Sequence, residues 1–341
     1  MRERFGPVPP DASPNTARND YATAVLTDWL MPERQPDLAI LWLSEPDHSQ
    51  HAFDVGSPEA LASISRVDAC VARVLAAADR LGVAGETNVL VTSDHGFISQ
   101  RPPGLGVVDA LIEAGLKQDR TSPDVRVIGS GVYLAPSARD RLAAVVRCIQ
   151  QQPAVGPVFT REVVEGTLAL SAVGCEHARS PDVLFAPRWS DGPNAFGSPG
   201  VSAGGGGNRE GNHGGASPFE IQSVLIAAGP SFKRGVVSDT PSGIIDVAPT
   251  VLATAGLAAP ATLPRPDGRV LAESLIGGKG IDPIPVASDG AWPMPQSIRV
   301  DRHELSASVD LPGGRYRASA EVLTVAGVWY LRQANGGVEP A

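Results

Sequence analysis

Three short islands carry side chains able to do chemistry: Glu45-Pro46-Asp47-His48-Ser49-Gln50-His51, Ser93-Asp94-His95-Gly96 and Gly211-Asn212-His213-Gly214. Together they hold four of the six histidines. Imidazole and carboxylate are donors that borderline metals such as zinc accept, and ligands scattered along a chain can fill more than one metal position. Three residues separate Asp47 from His51, a spacing that on a helical turn brings both side chains to one side. Asp94 and His95 are adjacent, so one turn of backbone offers two donors, and Gly96 permits an unusual φ beside them. Each island alone is a weak signal, because a D-x-x-x-H pair or a loop histidine is ordinarily just solvated. Three such islands in one chain point to a shared site.

Elements that could position them flank the islands. Asp37–Ser44 (DLAILWLS) is a continuous apolar run that predicts a strand buried on both faces. Ser57-Pro58-Glu59 opens a helix, with Ser57 as N-cap and Pro58 in the first turn. Leu61, Ile64, Val67, Val71, Val74 and Leu75 continue its apolar face toward Leu81. Asn88–Ser93 predicts a second short buried strand running straight into Asp94. Two islands therefore stand at the carboxyl ends of strands, where open α/β sheets bind ligands.

The alternation continues with helices predicted over 107–114, 138–151 and 244–255, where Pro249 lies near the start or kinks the helix. Strands are predicted over 125–134, 157–160, 182–186 and 222–228. This order predicts an α/β domain with a mostly parallel sheet. The third island sits in a Gly-rich stretch, 202–215, that includes Gly204 to Gly207. It is expected to form a mobile linker able to gate the site. Beyond residue 290 the pattern alternates over 297–309, 315–325 and 327–332, with Leu311-Pro312-Gly313-Gly314 as a turn. A main domain over 1–290 and a small antiparallel β appendage over 291–341 are expected.

The 341 residues, 43% hydrophobic and 19% charged, are enough for a sizeable core in one large domain or two. A net charge of −9 and the lack of a basic stripe disfavour nucleic acid as a partner. A small anionic substrate remains compatible, since divalent cations would dominate the local field. Cys70, Cys148 and Cys175 are odd in number and far apart, which indicates neither a disulfide framework nor a thiolate zinc site. Met1–Ser13 has no apolar signal region, and no run approaches the ~18–20 apolar residues that span a bilayer. A cytoplasmic chain is the expectation for the sequence as given, and a periplasmic or secreted one if an N-terminal segment is missing.

In order and spacing, EPDHSQH, the Ser-Pro-Glu helix start, VTSDHGF, GNHGG, SVLIAAGPSFKRG and Ile245-Asp246-Val247-Ala248-Pro249-Thr250 resemble one family. It is the type I phosphodiesterase/nucleotide pyrophosphatase branch of the alkaline phosphatase superfamily, and the resemblance covers about residues 20–275. It implies an alkaline-phosphatase-like three-layer sandwich and two zinc ions. Asp47, His51 and His213 would hold one ion, and Asp94 and His95 the other. The implied reaction is hydrolysis of a phosphodiester, pyrophosphate or phosphomonoester bond in a small phosphate-ester or nucleotide substrate.

The family pattern departs at Gln50, where a glycine is usual. It also places an Asp ligand and a Thr or Ser nucleophile on a strand well upstream of the first island. Upstream of the Asp37–Ser44 run the chain offers Ser and Thr hydroxyls at Ser13, Thr16, Thr23 and Thr27 but no such strand and turn. No nucleophile is assigned, and the second zinc is expected to lack a carboxylate, as in an N-terminally incomplete or degenerate relative. A phosphonoacetate hydrolase-like enzyme and a non-catalytic zinc-binding protein are the alternative readings. A sulfatase is disfavoured because no Cys-x-Pro-x-Arg segment occurs.

Overall fold

The computed structural model describes residues 1–205, 210–257, 267–276 and 298–340. The expected 290/291 boundary and part of the Gly204–Gly207 run lie outside the described residues. A helical turn, α1 (Arg2–Phe5), precedes α2 (Thr16–Val25), which widens into a π-type helix over Leu26–Arg34. The first island begins α3 (Asp47–Phe53), and α4 spans Pro58–Arg80. Ser57 caps α4 as its sequence predicts: its Oγ accepts the Ala60 N–H at 3.1 Å. Pro58 occupies the first turn, where a missing N–H leaves no bond unmade.

Two expectations for this half are corrected. Asp37–Ser44 joins no ladder among the described strands, and Leu38, Ile40 and Trp42 are exposed, Ile40 by 86%. An apolar run becomes a buried strand only where a neighbour takes up its backbone groups. Here the run stands off α2 across a cavity of about 720 Å³ lined by Ala22, Val25, Leu26, Ile40 and Trp42. On α4 the buried residues are Ala60, Ser63, Cys70, Ala77 and Ala78, while Leu61, Ile64 and Leu75 are exposed. The small side chains let α4 lie close to α2 and α3.

Next come β1 (Val89–Thr92), β2 (Ile98–Arg101) and α5 (Val107–Glu113). The strand β1 is half-buried rather than buried as expected, because only one described strand pairs with it. The single strand expected over 125–134 is a hairpin of β3 (Val125–Ile128) and β4 (Gly131–Leu134), because Gly129 takes a left-handed φ of 56°. A 3₁₀ turn leads into α6 (Leu142–Gln150). Then follow β5 (Val155–Thr160), β6 (Leu168–Ala169), β7 (Val183–Pro187), β8 (Trp189–Pro193) and β9 (Pro199–Ala203). After them run β10 (Gly211–Asn212), α7 (Pro218–Ile221), β11 (Leu225–Ala228) and α8 (Val247–Thr254), with Pro249 in the first turn of α8. The chain closes with β12 (Val300–Leu311), β13 (Gly314–Val325) and β14 (Val328–Pro340).

The architecture is mixed α/β, and the described strands pair in a mixed rather than mostly parallel way. β2–β9 and β5–β6 are parallel, while β1–β11, β10–β2, β8–β9, β3–β4, β4–β7 and β5–β7 are antiparallel. The five-stranded sheet β3-β4-β7-β5-β6 carries the main core around Val132, Val155, Val158, Phe159 and Phe185. β12, β13 and β14 form the expected antiparallel sheet, but they pack into the same core through Val309, Tyr316, Ala318, Ala320 and Ala334. The Tyr316 hydroxyl donates to the Gly156 carbonyl at 2.7 Å. Cys70 and Cys148 are buried and free, as small apolar packing predicts. Among the described residues no helix is long and apolar enough to cross a membrane.

Candidate metal centre

The five residues singled out by sequence converge from three elements. Asp47 and His51 sit one turn apart on α3, whose start is fixed by the buried Glu45. The Glu45 carboxylate accepts the N–H of Ser49 at 3.1 Å and that of Asn15. Asp94 and His95 follow β1, and His213 follows β10. β10 is held against α3: the Glu210 N–H donates to the His51 carbonyl at 2.9 Å. A Cβ on Gly211 would stand 2.7 Å from the Gln50 carbonyl oxygen, so the approach requires glycine.

Asp47 Oδ1 is the hub. His51 Nε2 and His213 Nε2 each lie 3.4 Å from it, and His95 Nε2 lies 3.9 Å away. His95 Nε2 is also 3.5 Å from Asp94 Oδ1. Asp47 Oδ1 is buried and has no hydrogen-bond partner among the described residues. His51 Nδ1 lies 2.8 Å from the Gly211 carbonyl and His95 Nδ1 2.9 Å from the Gly96 carbonyl. A carbonyl can only accept, so each Nδ1 is the donor, and in the neutral ring Nε2 presents a lone pair toward the carboxylates.

This donor set fits a metal. A tetrahedral zinc with bonds of about 2.0–2.1 Å spaces its ligands by about 3.3–3.4 Å. The Asp47–His51 and Asp47–His213 distances match that spacing, and the three ligand atoms all lie within 4.8 Å of one another. Fixing the outer imidazole nitrogen on a carbonyl is how a protein orients a ligating histidine. Burial holds His213 below the usual histidine pKa, and nearby His95 adds to this while Asp47 opposes it. The fourth histidine of the islands is not part of the site: His48 Nδ1 donates to the Ala12 carbonyl at 3.2 Å.

Sequence reasoning missed several residues that build the site. Phe97 touches all three imidazoles, with ring centroids 4.8 Å from His51, 5.3 Å from His213 and 5.8 Å from His95. Asp54, buried at the end of α3, accepts from Ser99 Oγ at 2.6 Å and from Arg101 at 2.9 Å, tying α3 to β2. Its left-handed φ of 76°, two residues before Gly56, marks the turn. Glu220 is buried; burial pushes its carboxyl up in pKa, while hydrogen bonds from Ser217 and Gly215 pull it back. Gly96 does not take a left-handed φ. It is required because a Cβ there would lie 2.1 Å from the Phe219 carbonyl oxygen.

A family model for type I phosphodiesterase / nucleotide pyrophosphatase matches residues 10–191, a stretch that includes Asp47, His51, Asp94 and His95. No curated protein matches the chain. Among solved structures it is similar to wild-type alkaline phosphatase PafA, at 18% identity and a TM-score of 0.56, over 76% of this chain and 53% of that one. It is also similar to murine ectonucleotide pyrophosphatase / phosphodiesterase 5, at 17% identity and a TM-score of 0.52, over 72% and 60% of the two chains. An inactive form of the murine protein in complex with AMP gives 18% identity and a TM-score of 0.51, over 72% and 60%.

At these identities the likeness is one of fold, and it bears out the alkaline-phosphatase-like α/β class. The chain spans between about half and three-fifths of the length of these neighbours. The family match, in contrast, extends over more than half of the chain and includes two of the islands. On that ground the chain belongs to the type I phosphodiesterase / nucleotide pyrophosphatase family.

Proposed function

We propose that this chain carries the metal centre of a phosphoric-ester hydrolase, with one zinc held by Asp47, His51 and His213 and a second by Asp94 and His95. The observation that carries the reading is Asp47 Oδ1, buried without a hydrogen-bond partner among the described residues and 3.4 Å from two imidazole nitrogens. Bound zinc would supply positive charge to phosphoryl oxygens during an in-line displacement. The chain's own residues do the positioning. The Gly211 and Gly96 carbonyls set the tautomers of His51 and His95, and Phe97 gives the three rings a shared apolar neighbour.

The substrate class is a small phosphate monoester, diester or pyrophosphate, nucleotides included. It rests on the family and on the AMP held by the murine structural neighbour. No nucleophile is assigned within the chain. Thr23 is buried and donates its hydroxyl to the Asn19 carbonyl, and Thr27 donates to Asp28. A second reading, zinc binding without turnover by this chain alone, is favoured by the pair Asp94 and His95, since two protein donors fall short of the three usual in catalytic zinc sites.

Calorimetric titration of the metal-stripped protein with zinc, run beside hydrolysis of p-nitrophenyl phosphate, its bis ester and a thymidine diester, separates these readings. The hydrolase reading expects one tight ion lost in Asp47→Ala, a weaker ion lost in Asp94→Ala, and turnover that follows zinc occupancy. Zinc binding without turnover leaves the second reading standing. A wild-type chain that binds no zinc removes both.

A further inference from the structure

The loops bearing His95 and His213 are both anchored on α7, a single short element. The carbonyls of Phe219 and Glu220 accept the N–H groups of Phe97 at 2.9 Å and Gly96 at 2.8 Å, the two residues after His95. The Glu220 side chain serves the other loop. Its carboxylate accepts the Gly215 N–H at 2.8 Å and the Ser217 hydroxyl at 2.5 Å, just beyond His213.

Packing leaves this junction little slack. A Cβ on Gly96 would lie 2.1 Å from the Phe219 oxygen, and one on Gly215 would lie 2.6 Å from both Glu220 carboxylate oxygens. The loop most in need of an anchor is the one that receives it, because Gly214 takes a φ of 88° and is followed by another glycine. Two consecutive glycines leave His213 with wide backbone freedom, whereas a ligand must be held to within about 0.5 Å.

We infer that Glu220 is the positioning residue of the metal centre, pinning the His213 loop to the His95 loop so that both imidazoles reach the Asp47 carboxylate. Glu220 acts through Gly215, Ser217 and Gly96 rather than on the metal itself. The inference rests on the reading that Asp47, His51, His95 and His213 bind metal.

The test is calorimetric zinc affinity and the visible absorption of the cobalt-substituted protein, which reports ligand geometry, for wild type, Glu220→Ala, Glu220→Gln and Ser217→Ala. Glu220→Ala is expected to weaken zinc binding about 10- to 100-fold, the range for lost outer partners of metal ligands, and to alter the cobalt bands. Glu220→Gln keeps an acceptor for Gly215 and is expected to restore most of the affinity. A folded Glu220→Ala protein, by circular dichroism, with wild-type zinc affinity and cobalt spectrum overturns the inference alone. Should Glu220→Ala not fold, Ser217→Ala decides by the same comparison, with weakened zinc binding expected and unchanged binding overturning. A wild-type protein that binds no zinc overturns the metal-centre reading, and this inference with it.

Discussion

His95 and His213 stack with their ring planes 12° apart and their centroids 3.5 Å apart. Burial, and after it the neighbouring His95 imidazole, hold His213 below the usual histidine pKa. In the metal-free protein the unfolded chain therefore takes up the His213 proton near pH 6.5, and the folded chain takes it up lower. Between those values the unfolded state binds more protons, so stability falls as pH drops. The urea midpoint of chelator-treated protein should decline from pH 7.5 to 5.5, and His213→Gln should flatten part of that decline. An identical pH profile in wild type and variant would contradict the assignment.

His51 and His48 belong to the same helix and island yet should behave in opposite ways. His51 Nε2 faces Asp47 at 3.4 Å, whereas His48 is committed to the Ala12 carbonyl. His51→Ala is expected to abolish the tight zinc site in calorimetry, and His48→Ala to leave stoichiometry and affinity unchanged. Equal loss in both variants would mean that zinc binds elsewhere in the island.

A buried ionic chain fastens α8 to the C-terminal sheet. The Arg269 guanidinium donates to both Glu273 oxygens at 2.7 and 2.8 Å and to the Tyr330 hydroxyl at 3.1 Å. That hydroxyl in turn donates to Asp246 at 3.0 Å, and the Arg269 N–H reaches the same carboxylate at 2.8 Å. Arg269→Ala strands buried charge and should cost about 3–5 kcal/mol in urea unfolding. Tyr330→Phe should cost about 1.5–3 kcal/mol, the range for a hydrogen bond to a charged group.

Local rules made part of this molecule readable from its sequence. The Ser57 cap, the short strand ahead of Asp94 and the turn at Leu311–Gly314 depend on near neighbours, and each is found where its residues place it. The islands were visible because Asp and His are few and closely spaced. Asp37–Ser44 was misread because its fate depends on a pairing partner that the sequence pattern cannot supply. The α4 face was misread because close packing on α2 and α3 favoured alanines over the larger apolar side chains. Phe97, Asp54 and Glu220 escaped notice because their partners arrive from distant segments; Ser99 and Arg101, for example, come from the strand after the second island.

Tyr316 offers a separate test of how the C-terminal sheet is held. Its fully buried ring lies in the main core, and its hydroxyl donates to Gly156. Tyr316→Phe should lower stability by about 0.5–1.5 kcal/mol, while Tyr316→Ala should cost about 3–5 kcal/mol by opening a cavity. Denaturant unfolding that distinguishes neither variant from wild type would show that the sheet contributes little to the core.

The sharing of one core between β5 and the final strands also sets an order of events during synthesis. Every candidate metal ligand lies at or before His213, so all of them leave the ribosome before Val309, Tyr316 and Ala334 can close over β5. N-terminal-first folding, the usual course for a growing chain, cannot finish here, because β5 lacks its cover until the last strands emerge. The nascent chain thus completes its core late, through contacts between segments far apart in sequence, which is the slow class of folding. Its period of greatest exposure to aggregation falls in the interval between translation of His213 and docking of β14.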